Sequence, residues 1–221
     1  MLDYLEIFRE FNSQDINYIV CGGLAVNLNG IPRMTYVIDL LLEMEDENIR
    51  KYIKLVKKWS FSPKQPVNIE DFSDLEKRNN WINEKSMRAF KVDNEDWAIS
   101  EIDVLIDTSV NYEEAEKNKI IRSFGDVQIP LISVKDLIKM KKNTNRKQDE
   151  ADIRYLKEKL KIKEKKQKKG FDYYLEPEIL EDYKNKPLKK KLQWLYAGNK
   201  LRMKSPEQVK RKHEKYRKAE I

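Results

Sequence analysis

The stretch CGGLAVNLNGIPRMTYVIDLLL, residues 21–42, sets a glycine pair, Gly22 and Gly23, ahead of one acid, Asp39, inside an apolar run. A carboxylate in a strand-like run of this kind is costly to bury without a partner. Glycines at a turn let backbone N–H groups come close to a phosphate, with a helix N-terminus behind them. Side chains two apart on a strand share a face, so Asp39 shares its face with position 37. Acids at both positions would suit Mg²⁺, a hard ion that takes oxygen ligands while keeping a triphosphate's own oxygens. Asp103, in SEIDVLI, has the same apolar flanks as Asp39 and fits as a third acid from another strand. Position 37 holds valine, which ligates nothing.

These residues need elements to position them. Leu2, Leu5, Phe8 and Phe11 recur near helical spacing, so residues 2–12 are expected to form an amphipathic helix. NYIVC is a short β-prone run that ends at the glycine pair, and LAVNLNG suits a short helix stopped by Gly30. YVIDLLLE is expected as the second strand, followed by a helix over DENIRKYIKLVKKW with Ile49, Ile53 and Val56 on one face. MRAFKV and SEIDVLID are further strand candidates, and SVKDLIKMKKNTNRKQDEADIRYLKEKL reads as one or two helices. Beyond residue 157 a low-complexity basic stretch, KIKEKKQKKG, precedes KPLKKKLQWLYAGNKL, whose Leu188, Leu192, Leu195 and Leu201 favour a docked helical appendage. SPEQVKRKHEKYRKAEI opens with a capping serine, Ser205, and a proline at the first helical position. The expected division is a body of residues 1–156 and a basic helical extension of residues 157–221.

Composition narrows the chemistry. Of 221 residues, 40% are apolar and 38% charged, so a core is available beneath a very highly charged surface. A single histidine, His213, and a single cysteine, Cys21, leave little for zinc sites or histidine-based triads, so catalysis would rest on carboxylates and lysines. One cysteine also excludes an internal disulfide framework and fits a cytoplasmic protein. No apolar run approaches the roughly 20 residues of a membrane span, and MLDYLEIFRE lacks the features of a signal peptide. Residues 1–156 carry 23 Lys and Arg against 28 Asp and Glu; residues 157–221 carry 22 against 10. A basic extension on an acidic body suggests contact with nucleic acid, and a solvated lysine-rich surface is the plainer alternative.

The glycine pair, its gap and the strand acid together resemble the nucleotidyltransferase motif of the DNA polymerase β superfamily. More closely, residues 2–160 resemble the branch related to abortive-infection nucleotidyltransferase toxins. The matching pieces, in order, are VCGGLAVNLNGIPRMTY, PVNIEDFSDLEKRNNWINEKSMRAF, EIDVLI and ISVKDLIKMKKNTNRKQDEADI. The resemblance implies an α/β (α+β) nucleotidyltransferase fold, a mixed sheet flanked by helices. It also implies Mg²⁺-dependent transfer of a nucleoside monophosphate from an NTP to an acceptor. By the same resemblance Gly22 and Gly23 would hold the triphosphate, and Asp39 and Asp103 would be catalytic metal ligands. Lys85, Lys141, Arg146 and Asp149 match positions that would serve nucleotide binding.

Val37 is the departure, because in that family the first acid of an Asp-x-Asp pair belongs there. Loss of one ligand from a site built on charge stabilisation should impair transfer. Two readings follow. One is a nucleotidyltransferase weakened by Val37, with an RNA such as tRNA, or a protein hydroxyl, as acceptor. The other is a non-catalytic nucleotide- or RNA-binding module, or a partner in a toxin–antitoxin pair. No membrane role is expected.

Overall fold

The computed structural model describes residues 2–144, 146–160 and 177–218; the basic stretch 161–170 lies outside them. The first helix, α1 (Tyr4–Ser13), begins after Asp3 because the Asp3 carboxylate accepts from the Glu6 N–H at 2.9 Å while Glu6 accepts from the Asp3 N–H. This reciprocal cap satisfies two otherwise orphaned donors. Its face of Tyr4, Ile7, Phe8 and Phe11 is fully buried. Strand β1 (Tyr18–Val20) then leads through Cys21 into α2 (Gly22–Leu28), which ends at Asn29 with Gly30 at φ +94°. Strand β2 (Val37–Leu42) and α3 (Asp46–Lys58) complete the expected opening, with Ile49, Tyr52, Ile53 and Val56 of α3 buried. Each such side chain contributes about 1.5–3 kcal/mol on burial.

A two-residue strand, β3 (Ser62–Pro63), and a 3₁₀ turn (Ile69–Ser73) precede α4 (Leu75–Asn83). Strands β4 (Ala89–Asp93) and β5 (Glu101–Leu105) follow, then α5 (Tyr112–Asn118) and the hairpin of β6 (Ile120–Phe124) and β7 (Val127–Leu131). Helices α6 (Val134–Lys141) and α7 (Lys147–Lys159) resolve the long helical stretch into two. In the extension, α8 (Pro177–Asn185), α9 (Leu188–Met203) and α10 (Glu207–Lys218) are helical.

The seven strands form one mixed sheet in the order β3-β4-β5-β2-β1-β7-β6. Together with its helices this is the mixed α/β architecture expected from the sequence. Strand β2 lies at the centre, antiparallel to β1 and parallel to β5. Alternation sorts its side chains: Ile38 and Leu40 join Ile102 and Val104 of β5 and Phe90 and Val92 of β4 on the apolar side. There Phe90 stacks on Phe72 at 4.3 Å between centroids and on Trp81 at 5.8 Å. Asp39, Asp103, Glu101 and Lys91 occupy the opposite face.

Helix α9 is built into this body. Leu192 and Leu195 are buried in the same core as α1 and α2. The Asn199 amide donates to the Tyr4 hydroxyl at 3.1 Å and to the Thr35 carbonyl at 3.0 Å. Gly198 of α9 lies against the tip of the flexible Met34 side chain. Arg202 lies 4.0 Å over the Tyr36 ring and donates to Ser100 Oγ at 3.2 Å. Among the described residues no helix is long and apolar enough to cross a membrane.

Candidate functional site

The parallel pairing of β2 with β5 makes Asp39 and Asp103 register partners, and makes Val37 the partner of Glu101. Adjacent strands lie about 4.8 Å apart and in-register side chains point the same way, so the two aspartates are brought together. From the other side β4 sets Lys91 opposite Asp103. The Lys91 ammonium donates to Asp103 Oδ2 at 2.6 Å and to Glu101 Oε1 at 3.1 Å, and Lys64 Nζ reaches Glu101 Oε2 at 3.1 Å. Asp103 is 5% exposed, and its Oδ1 is buried without a hydrogen-bond partner among the described residues. Burial, then the charges of Asp39 and Glu101, push its carboxyl up to about 7 against the opposing pull of Lys91.

Asp39 is tied to the glycine turn. Gly22 has φ +59°, a conformation that L side chains rarely adopt, and a Cβ there would lie 1.9 Å from Asp39 Oδ2. The Gly23 N–H donates to Asp39 Oδ2 at 3.3 Å, and the Cys21 N–H donates to the Asp39 carbonyl at 2.9 Å. The glycine pair therefore admits the carboxylate edge against the backbone at the start of α2. The Cys21 thiol lies within electrostatic reach of Asp39, Asp103 and Lys141, but burial first, and Asp39 next, push it well above its ordinary value. It behaves as a small apolar group.

Lys141 and Asp149 meet as a buried ion pair, and Lys141 also donates to Asp152 Oδ2 at 2.8 Å. Arg33, from the segment joining α2 to β2, reaches Asp152 at 3.5 Å. Burial weakens the Lys141 charge, but Asp152 and Asp149 outweigh it and raise its pKa; burial likewise opposes, and Lys141 with Thr144 prevails in lowering, that of Asp149. Arg146 is exposed at the cap of α7, and Lys85 is exposed in the turn after α4, where it makes no ion pair with the two aspartates. The fold thus gathers Gly22, Gly23, Asp39, Asp103 and Lys141 around Cys21, and leaves Lys85 outside that cluster.

Glu101, Lys91, Lys64, Asp152 and Arg33 join these charged networks beyond the residues expected. Glu101 had a legible signal: Glu101-x-Asp103 on β5 repeats the spacing that Val37-x-Asp39 breaks on β2.

For a divalent cation the donor set is partial. Among the described residues no three His, Cys, Asp or Glu side chains converge as a ready metal cage. Asp39 and the orphaned Asp103 Oδ1 are hard oxygen donors on neighbouring strands, crowded by like charge, and they fit one such ion. Val37 supplies nothing, while Lys91 already neutralises Glu101 and the second oxygen of Asp103.

No protein-family model matches this chain, and no curated protein matches it in sequence. Among solved structures it is similar to a lincosamide antibiotic adenylyltransferase with lincomycin bound. The identity is 17% and the TM-score 0.47, over 68% of this chain and 92% of that one.

Proposed function

We propose that the protein is a nucleotidyltransferase-type domain that binds an NTP through Asp39, Asp103 and the Gly22-Gly23 turn, with Mg²⁺-dependent monophosphate transfer weakened by Val37. The observation that carries this reading is the in-register pair Asp39–Asp103, with the Asp39 carboxylate held against the glycine turn. A divalent ion held there would supply positive charge to offset the negative charge that develops during phosphoryl-type transfer. Asp39 and Asp103 would hold it; Gly22 leaves room for that approach; Lys91 offsets the repulsion between Glu101 and Asp103 by donating to both. The acceptor class proposed is RNA, because the basic extension supplies phosphate-directed charge.

A second reading, a nucleotide- or RNA-binding module without catalysis, is favoured by the Lys91 ammonium standing between two of the three acids. Titration of the full chain with ATP, CTP, GTP and UTP, with and without Mg²⁺, tests both. Metal-dependent binding that Asp39→Asn weakens at least tenfold, accompanied by label transfer to RNA, supports the first; the same binding without transfer supports the second. Equal NTP binding by wild type and Asp39→Asn rejects the first reading and the nucleotide-binding form of the second.

A further inference from the structure

At the far end of α2 from the glycine pair, a cavity of about 490 Å³ opens where five elements and one turn converge. Four of its lining residues are cations: Arg122 of β6, Lys184 and Lys186 at the end of α8, and Lys191 of α9; Glu158 of α7 is the sole acid. The cations are not equivalent. Lys184 and Lys186 are paired along the helix surface with Glu181 and Asp182. Arg122 and Lys191 make no ion pair among the described residues, and Arg122 Nε is buried with no hydrogen-bond partner among them. Lys191 is 4% exposed, donates to the Lys184 carbonyl at 3.2 Å, and lies 5.3 Å over the Tyr183 ring.

Burying an ammonium beside a guanidinium, with a carbonyl and an aromatic face as compensation, runs against electrostatics. Burial, and then the repulsion of Arg122, accordingly push the Lys191 ammonium below its ordinary value. Lys191 is held by the Lys184 carbonyl at the end of α8, whereas Arg122 Nε has no hydrogen-bond partner among the described residues, and neither cation is ion-paired there. An anion placed between them would offset their mutual repulsion and the cost of burying their charge.

We propose that this cavity is a phosphate-binding site, with Arg122 and Lys191 as its two anchoring groups. The guanidinium offers fixed N–H donors to phosphate oxygens and the ammonium a compact charge. The site is separate from the Asp39–Asp103 pair and does not depend on what that pair does. The phosphate could be carried by an RNA backbone or be a free phosphate group; the chemistry recognised is the same.

The test is calorimetric titration of the full chain in chelator, so that no divalent ion serves the strand acids, with inorganic phosphate and with an eight-residue oligouridylate as probes. Both probes are expected to bind wild type and Asp39→Asn alike. Arg122→Gln and Lys191→Met should each weaken phosphate at least tenfold. If oligouridylate weakens in parallel and its log-log salt slope drops by about 0.7 per variant, the phosphate is a nucleic-acid backbone. If phosphate alone responds, the ligand is a free phosphate group. Arg122 lies on an edge strand, so Arg122→Gln decides the matter even if Lys191→Met does not fold. Less than a twofold change for both probes in Arg122→Gln overturns the proposal.

Discussion

Val37 and Glu101 are register partners across the parallel pairing of β2 and β5, two rungs before Asp39 and Asp103 and on the same face. The position that lacks an acid therefore adjoins an acid whose two oxygens are already held by Lys64 and Lys91. Val37→Asp would add a carboxylate to a buried face that holds Asp39, Glu101 and Asp103. Without metal, the variant is expected to melt about 5 °C lower, as like charges crowd and a buried valine is lost. With Mg²⁺ the deficit should close, and Mg²⁺-dependent NTP affinity should rise at least tenfold. Differential scanning calorimetry and NTP titration measure the two effects. A variant that melts lower yet gains no metal-dependent NTP binding would sink the active-site assignment.

Lys91 carries the charge balance of that face. Asp103 has a folded-state pKa raised to about 7, first by burial and then by Asp39 and Glu101. An acid whose pKa is raised on folding favours the folded state below its unfolded value near 4, and that contribution is lost as pH rises towards 7. Lys91→Met removes the cation that limits this loss. At pH 8 it is expected to cost about 3 kcal/mol, the low end for a broken buried pair because Lys91 is 31% exposed. At pH 5 the cost should fall by half or more, since Asp103 can take up a proton. Added Mg²⁺ should recover stability at pH 8 and have little effect at pH 5. Chemical denaturation at both pH values, with and without Mg²⁺, checks the pattern; a pH-independent cost would contradict it.

How much of this was legible in the linear chain differs by interaction. Gly22-Gly23, the short helix and the strand acids are local signals, and period-two alternation alone puts Asp39 and Asp103 on strand faces. The spacing Glu101-x-Asp103 is equally local. Lys91 is different: its role follows from β4 lying antiparallel to β5 in one register, a non-local fact that no spacing encodes. The Arg33–Asp152–Lys141–Asp149 network is likewise assembled from a loop and two helices. Strands β6 and β7 join through Gly125-Asp126, with Gly125 at φ +62°, a two-residue hairpin signal within the chain's own pattern. The two-residue β3 has no such signature, because its pairing with β4 rather than its composition defines it.

Lys141 is matched to two carboxylates, and its loss should strand both. Lys141→Met leaves Asp149 and Asp152 buried, with the exposed cap residue Arg146 and the 3.5 Å contact from Arg33 as remaining cations nearby. The expected cost is about 3–5 kcal/mol at neutral pH. The sign with pH follows from Asp149, whose pKa is lowered on folding despite its burial. Its stabilising contribution is present above the unfolded carboxylate value and is lost as pH falls through the folded one. Wild type should therefore lose stability in acid more steeply than Lys141→Met, so the two curves converge at low pH. Parallel curves would show that Lys141 is not the partner that matters.

Removing residues 157–221 to test RNA contact would strip Leu192 and Leu195 from the core and Asn199 from Thr35, so loss of binding would not separate charge from folding. Two point-substitution sets separate them. Leu195→Ala, at a fully buried position, is expected to cost about 2–5 kcal/mol. Its effect on RNA affinity should vanish once measurements are made well below its melting temperature. Joint replacement of exposed Lys204, Arg211 and Lys215 by glutamine should leave the melting temperature within about 1 °C. If these side chains contact phosphates, each replaced contact should lower the log-log salt slope of RNA binding by about 0.7–0.9. An unchanged slope in the triple variant would assign that surface to solvation.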